Sequence, residues 1–331
     1  AGVISLEATG TSANYMTYSA SEESTGLALT YGSADDAGGG YAGLDQFGRV
    51  IDQRWTLGGT AAESYADGYD VDRYTYTYDR DSNRLTRGNE LNSDFSEIYT
   101  YDDLNRLIGT TRAGDDYQQW GYDQLGNWST FATDTNADGV IDENDTPQER
   151  TANDANEITS ITGTGSTPSG SPAYDAAGNM TFDGNQHYVY DAWNRLVAAC
   201  ADDAQNPGQP GDLISVYEYD GRGYRTSKSV ARYEGDPAQV TGYDRTDYLY
   251  NDNWQVLEER LDENAASATT VADTPHIQYV WDIRYIDAPV LRFRDMNGDG
   301  DFSDSGDEQL DYTNDANFNV TALIVSDDGS L

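Results

Sequence analysis

The stretch YTYDDLNRLIGTTR, residues 99–112, sets two tyrosines around a threonine, follows them with an Asp, and runs through a short polar string into Asn-Arg-Leu. Variants of it return as YTYDRDSNRLTRG at 76, WGYDQLGNWSTF at 120, AYDAAGNMTFD at 173, YVYDAWNRLVAA at 188 and YEYDGRGYRTSKS at 217. One unit is being reused, so the 331 residues are read as an array and not as two ordinary domains. Within a unit, Tyr74, Tyr76 and Tyr78 alternate with small polar residues, the period of a strand with its rings on one face. The Asp falls where that strand must end. Asp and Asn bond back to nearby amides, while Gly126, Gly178 and Gly223 supply positive φ where the chain reverses. A second strand then starts at residues such as Arg106-Leu107 or Arg195-Leu196. The string encodes strand, turn, strand.

The ruler residue of each unit is Asp45, Asp79, Asp102, Asp123, Asp154, Asp175, Asp191, Asp220, Asn251, Asp282 and Asp315, about eleven units over 41–331. Residues 1–40 read as weaker, repeat-like strands. Longer gaps hold GTGSTPSGSP at 163, DDAQNPGQPGD at 202 and ENAASATTVADTP at 263, turn-rich and expected as loop tips. With 26 Tyr, 33 Gly and 8 Pro, composition favours strands and tight turns. Hydrophobic residues make up 37% of the chain, so each unit buries little alone and aromatic surface is expected to supply much of the core.

These strings resemble the YD repeats of the Rhs family of large bacterial secreted and surface proteins, related to toxin-complex shells and teneurins. The likeness runs from YAGLDQFGRVIDQRW at 41 onward and is clearest over 74–227. Residues 279–295, YVWDIRYIDAPVLRFRD, and 311–331, DYTNDANFNVTALIVSDDGSL, resemble the stretch leading into the end of the family's repeat core. The resemblance implies an all-β fold in which tandem hairpins pair side by side into a continuous ribbon that spirals into a shell wall or rod. It also implies a shell that encloses a toxic domain in some members and serves adhesion in others. Eleven two-stranded units at about 4.8 Å per strand give a ribbon on the order of 100 Å, or ~30 Å across if closed into a ring. That size is expected of a wall segment or thin rod, not of a whole container. No counterpart of the autoproteolytic Asp site found in some family members is identifiable before Leu331.

Charge narrows the partners. The formal charge is −40, from 59 acidic against 19 basic side chains, with Lys228 the one lysine. Such a chain repels phosphate backbones, so nucleic acid is not expected as a partner, and cations are. The expected partners are neighbouring repeat segments of the same or identical chains, an enclosed toxin domain, or surface glycans. No stretch approaches the ~20 apolar residues of a membrane-spanning helix. The opening AGVISLEATG has neither a basic start nor an apolar signal core, which places any export signal outside this stretch; the expected location is secreted or on a bacterial surface.

Two Asp-rich insertions, 134–147 and 295–308, are candidate calcium loops. In DTNADGVIDEND, Asp134, Asn136, Asp138, Asp142 and Asp145 fall at positions one, three, five, nine and twelve, with Gly139 at the bend and the Val140 carbonyl as a further ligand. Calcium takes several hard oxygens, and this spacing resembles the loops of dockerins and EF-hands with Asp in place of Glu at twelve. In DMNGDGDFSDSGD the donors are Asp295, Asn297, Asp299, Asp301, Ser303, Asp304 and Asp307; its twelfth residue is Gly306, so Asp304 or Asp307 must close the loop. The competing reading of both is a solvated acidic turn.

Enzyme readings are weaker. His187 and His276 lie on apparent strands, away from any GxSxG signature, and carboxylate pairs are trivially found among 59 acids. Cys200 reads as a small buried apolar residue. The chain is therefore expected to be non-enzymatic and architectural. Its rivals are a glycan-binding surface built on Trp120, Trp128 and Trp193, and a polysaccharide hydrolase. The sequons at Asn127, Asn179 and Asn319 coincide with repeat turns, whose chemistry accounts for the first two without glycans.

Overall fold

The computed structural model describes residues 5–7, 17–19, 27–31, 43–57, 70–112, 116–136, 138–142, 145, 147–163, 170–234, 239–283, 285–304 and 306–325. The rest of segment 1–40, the tip of the insertion at 163 and the tail beyond 325 lie outside them. The fold is all-β: twenty-four strands, with Ser93–Phe95 forming one 3-10 turn and no α-helix among the described residues. The first sheet holds β1 (Ser5–Glu7), β2 (Thr17–Ser19), β3 (Leu27–Tyr31), β4 (Asp52–Leu57), β5 (Asp70–Tyr78), β6 (Arg84–Asn89), β7 (Glu97–Tyr101), β8 (Leu107–Arg112), β9 (Asp116–Tyr122), β10 (Trp128–Thr133), β11 (Gln148–Ala152) and β12 (Ile158–Thr162). The second holds β13 (Ala173–Tyr174), β14 (Met180–Phe182), β15 (Gln186–Tyr190), β16 (Leu196–Asp202), β17 (Pro210–Tyr219), β18 (Arg225–Glu234), β19 (Gln239–Tyr250), β20 (Val256–Ala265), β21 (Pro275–Trp281), β22 (Pro289–Arg294), β23 (Glu308–Asn314) and β24 (Val320–Val325). In each, every strand pairs with its sequence neighbours. The array is thus two consecutive antiparallel sheets, and Ile161 of the first pairs with Gly170 in the connection between them.

The repeated Asp does more than stop a strand. At Asp102 the Oδ1 atom accepts the amides of Leu104 and Arg106, both at 2.9 Å, and Oδ2 accepts Arg106 Nε at 2.7 Å. The same set recurs at Asp79, Asp123, Asp175 and Asp191, with Asn replacing Arg four residues on in three of them. Each turn is a three-residue loop ending in a left-handed residue: Ser82, Asn105, Gly126, Gly178, Asn194 and Gly223 all have positive φ. In the fifth unit the structure corrects the ruler. Asn153, not Asp154, takes the capping position, accepting the amides of Ala155 and Glu157.

Two features of the unit were not read from the sequence. In five units the tyrosine preceding the turn Asp or Asn donates its hydroxyl to a carbonyl of the hairpin before it: Tyr78 to Val50, Tyr101 to Arg84, Tyr122 to Leu107, Tyr219 to Leu196 and Tyr250 to Arg225. The residue four after the Asp reaches forward instead, Arg106 Nη1 to the Asp123 carbonyl and Arg195 Nη1 to that of Asp220. The Asp102 unit is thereby stitched to both neighbours, and its stability depends on them. Tyr101→Phe removes one stitch and is expected to lower the urea unfolding free energy by about 1 kcal/mol.

The core lies where the ribbon meets itself. Trp55 on β4 and Tyr74 and Tyr76 on β5 are buried, and so are Thr313, Asn314 and Asp315 at the far end of the chain. The hairpin β23–β24 rests its tip on the face of β4–β6. At the strand spacing of about 4.8 Å, the run from β5 round to β23 is a loop on the order of 30 Å across. Here the expectation of an aromatic core holds, and Tyr224, packed on Tyr250 and Trp254, is a buried ring away from the seam. Elsewhere most rings are half-exposed, and buried polar residues outnumber buried apolar ones among the described residues. The 263 insertion also departs from a projecting tip: Ala265 and Ala272 are buried, and the Ala272 amide donates to Asp247 Oδ2 at 2.8 Å.

Candidate calcium loops and the closure seam

Asp134 and Asp145 sit at the two ends of the first Asp-rich loop, and both are buried. Asp134 Oδ2 accepts the Gly139 amide at 2.6 Å, which the positive φ of Gly139 (81°) allows. Asp145 accepts the Thr135 amide at 2.8 Å through Oδ1 and the Asp142 amide at 3.1 Å through Oδ2. Those amides hold its carboxyl below the usual range, Thr135 most strongly. Asn136 Oδ1 accepts the Asp138 amide, and Asp138 Oδ1 accepts that of Val140.

The second loop repeats this frame. Asp295 Oδ2 accepts the Gly300 amide at 2.6 Å, five residues on as in the first loop. Burial works against ionisation of Asp295, yet the amides of Gly300, Gly298 and Asn297 hold its carboxyl low. Asp307 accepts the amides of Met296 and Asp304, the role Asp145 plays in the first loop. Asp304, the other closing residue open on sequence, instead accepts from the Asn297 side chain. Asn297 Nδ2 donates to Asp304 Oδ2 at 2.9 Å, Asp299 Oδ1 accepts the Asp301 amide, and Asp301 Oδ1 accepts both Ser303 groups. The donors are hard oxygens in calcium spacing on two matching backbone frames, which fits the ion. As the loops stand, their carboxylates face amides and not one another: no group of three or more His, Cys, Asp or Glu converges among the described residues.

The closure seam is the other dense polar site. Gln53 Nε2 and Trp55 Nε1 both donate to the Asn314 carbonyl, at 2.6 and 2.9 Å. The Ala316 amide donates to Tyr76 Oη at 3.0 Å, and Arg84 Nη2 to Asn317 Oδ1 at 2.8 Å. Arg87 Nη1 lies 3.3 Å from Asp315 Oδ2 and stands over the Tyr74 ring. Thr313 donates to Asp72 Oδ2 at 3.0 Å, and Thr321 donates to the same oxygen. The tip is held in place by Phe318, left-handed at φ 63° and stacked on Tyr285 with centroids 4.7 Å apart.

Other candidates are dispersed. Trp120 and Trp128 join Phe131 in one aromatic cluster, whereas Trp193 stands on a turn of the second sheet, 75% exposed. His187 is buried, stacked on Phe182 and bonded to Asp202 at 2.9 Å; burial and Arg294 pull the His276 imidazole down. Cys200 is half-buried, not fully buried, and burial raises its thiol, the reverse of nucleophile activation. The side-chain amides of Asn127, Asn179 and Asn319 donate to the Asp of their own turns, so all three sequons are spent on turn structure.

No family model matches the chain. It is 28% identical over 169 residues to the tRNA3(Ser)-specific nuclease WapA of Bacillus spizizenii, 47% of this chain and 6% of that protein. To the tRNA nuclease WapA of Bacillus subtilis it is 27% identical over 175 residues, 53% of this chain and 6% of that protein. The chain therefore spans a small fraction of the curated relatives it matches. Among solved structures, two TcdB2-TccC3 crystal structures align over 91% of this chain and 14% of theirs, with TM-scores of 0.58 and 0.59 at 15% and 16% identity. This likeness establishes the fold. The relatives overturn one expectation: a chain whose curated relatives are named tRNA nucleases is not to be set down as non-enzymatic. Turn Asp and strand Tyr residues are structural, so the repeat motifs by themselves carry no signal for or against such an activity.

Proposed function

We propose that this chain is a wall segment of a ribbon-built shell or scaffold in a larger secreted or surface-borne toxin-type protein, with calcium clamping its two Asp-rich insertions. The observation that carries this reading is the seam. A ribbon whose last hairpin beds into its own first sheet has the curvature needed to enclose a volume, and a surface adhesin does not require it. Neighbouring repeat segments are the partners that a stitched ribbon needs at its ends. Electron microscopy of the chain tests the reading. Hoops about 30 Å across, single or stacked on a common axis, are the expected result. Separate beads or an unclosed ribbon would refute it.

A second reading rests on the names of the two relatives: a part in tRNA cleavage. Incubation of the chain with total tRNA, resolved on a gel, separates the two. Intact tRNA at stoichiometric protein leaves the wall segment standing; site-specific cleavage replaces it with the nuclease reading.

A further inference from the structure

Asp72 differs from the Asp residues of the turns. Those accept two backbone amides and one side-chain donor, groups that cannot accept a proton in return, so they are built to stay ionised. Asp72 is 4% exposed near the start of β5; it takes one backbone amide, that of Arg73, and its partners across the seam are the hydroxyls of Thr313 and Thr321. A hydroxyl donates to a carboxylate, and by rotating it accepts from a carboxylic acid. The contact survives protonation, while the penalty for burying a charge disappears. The surrounding charges are poorly balanced. Arg87 on β6 faces Asp72 but is shared with Asp315 of the tip and Glu97 of β7. Tyr74 lies on the same strand, Trp55 is paired opposite on β4, and Asp311 is buried on β23. Asp52 on β4 is paired with Arg73.

We propose that the seam is an acid-tightened clasp. Uptake of one proton at Asp72 fastens hairpin β23–β24 onto β4–β6, and loss of that proton towards neutral pH loosens the closure without unfolding the hairpins. The inference rests on the seam itself and not on the shell reading. The direction of the carboxyl equilibria supports it. Burial raises Asp72 above 3.8 against the pull of Thr321, Thr313, the Arg73 amide and the Arg87 charge. Its stabilisation is therefore complete below that value and is lost as pH rises through the folded-state pKa. The turn carboxyls run the other way. Asp79, Asp123 and Asp175, held low chiefly by the Asn side chain four residues on, and Asp102, held low chiefly by the Arg106 amide, lose stability only as pH falls below 3.8. Just above 3.8, and below the folded-state pKa of Asp72, lies a window in which the clasp keeps most of its stabilisation and the turns are intact.

The Ala316 amide, bonded to Tyr76 across the seam, reports the clasp; the Asn194 amide, bonded to Asp191 in a turn away from it, is the reference. Hydrogen exchange of the full chain, corrected for intrinsic rates, is expected to show the Ala316-to-Asn194 protection ratio rising about tenfold from about pH 7 to about pH 4.5. Asp72→Asn, a neutral isostere, is expected to hold the high ratio at both. A wild-type ratio that stays flat or falls on acidification overturns the proposal, as does Asp72→Asn keeping the wild-type pH profile. If that variant does not fold, the wild-type series decides alone.

Discussion

Trp55→Ala is expected to destabilise the closed ribbon by about 3–5 kcal/mol, the cost of truncating a buried aromatic side chain. The indole is 6% exposed at the centre of the seam, and its N–H is one of the two donors to the Asn314 carbonyl. Removing it opens a cavity under the tip and leaves that carbonyl to Gln53 alone. A repeat ribbon is a chain of nearest-neighbour interfaces, so the loss need not spread evenly. The expected signature is a split urea transition, the strands around the seam melting first, together with a larger radius of gyration by small-angle scattering. Trp193→Ala is the control. That ring is 75% exposed, touches Arg195 and is remote from the seam, so its removal changes stability by about 0.5 kcal/mol or less. Equal losses at Trp55 and Trp193 would mean that the seam contributes nothing to closure.

Local chemistry and long-range packing were unequally legible. The turns could be read because their signal is local: an Asp, its amides two and four residues on, and a Gly or Asn at the left-handed position. Even the one misplacement, Asp154 for Asn153, falls on two adjacent residues whose types both suit a turn cap, of which Asn153 takes the amides. Trp254 and Phe318 occupy the left-handed position with bulky rings that composition would not choose, and each leans on a neighbour, Tyr224 or Tyr285. The seam left no such trace. Gln53 and Asn314 are separated by 261 residues, and no spacing in the sequence marks one as the partner of the other. A ring of ~30 Å followed from strand spacing, but whether it closes depends on side chains that look like any other polar residues in the array. The candidate calcium loops are intermediate: donor types and spacing are visible in the sequence, whereas their engagement with backbone amides appears only in three dimensions.

Saturating calcium, at about a hundred times its dissociation constant, is expected to add about 2.7 kcal/mol per occupied loop to the unfolding free energy, seen as a rise in Tm over the chelated protein. The backbone frame stands ready in both loops: a buried Asp at position one tied to a left-handed Gly five residues on, and a closing Asp tied to the second residue. What the ion adds is charge. Each loop places several carboxylates in a short turn of a chain already at −40, and a bound calcium ion would offset that charge and take oxygens that amides leave free. Asp134→Ala with Asp138→Ala is expected to abolish the share of the first loop, and Asp295→Ala with Asp299→Ala that of the second, the two adding because the loops share no ligands. Magnesium, which demands a tighter octahedral shell, should give a smaller rise. A Tm that does not move with calcium, or a rise that persists when all four residues are replaced, would leave both loops as solvated acidic turns.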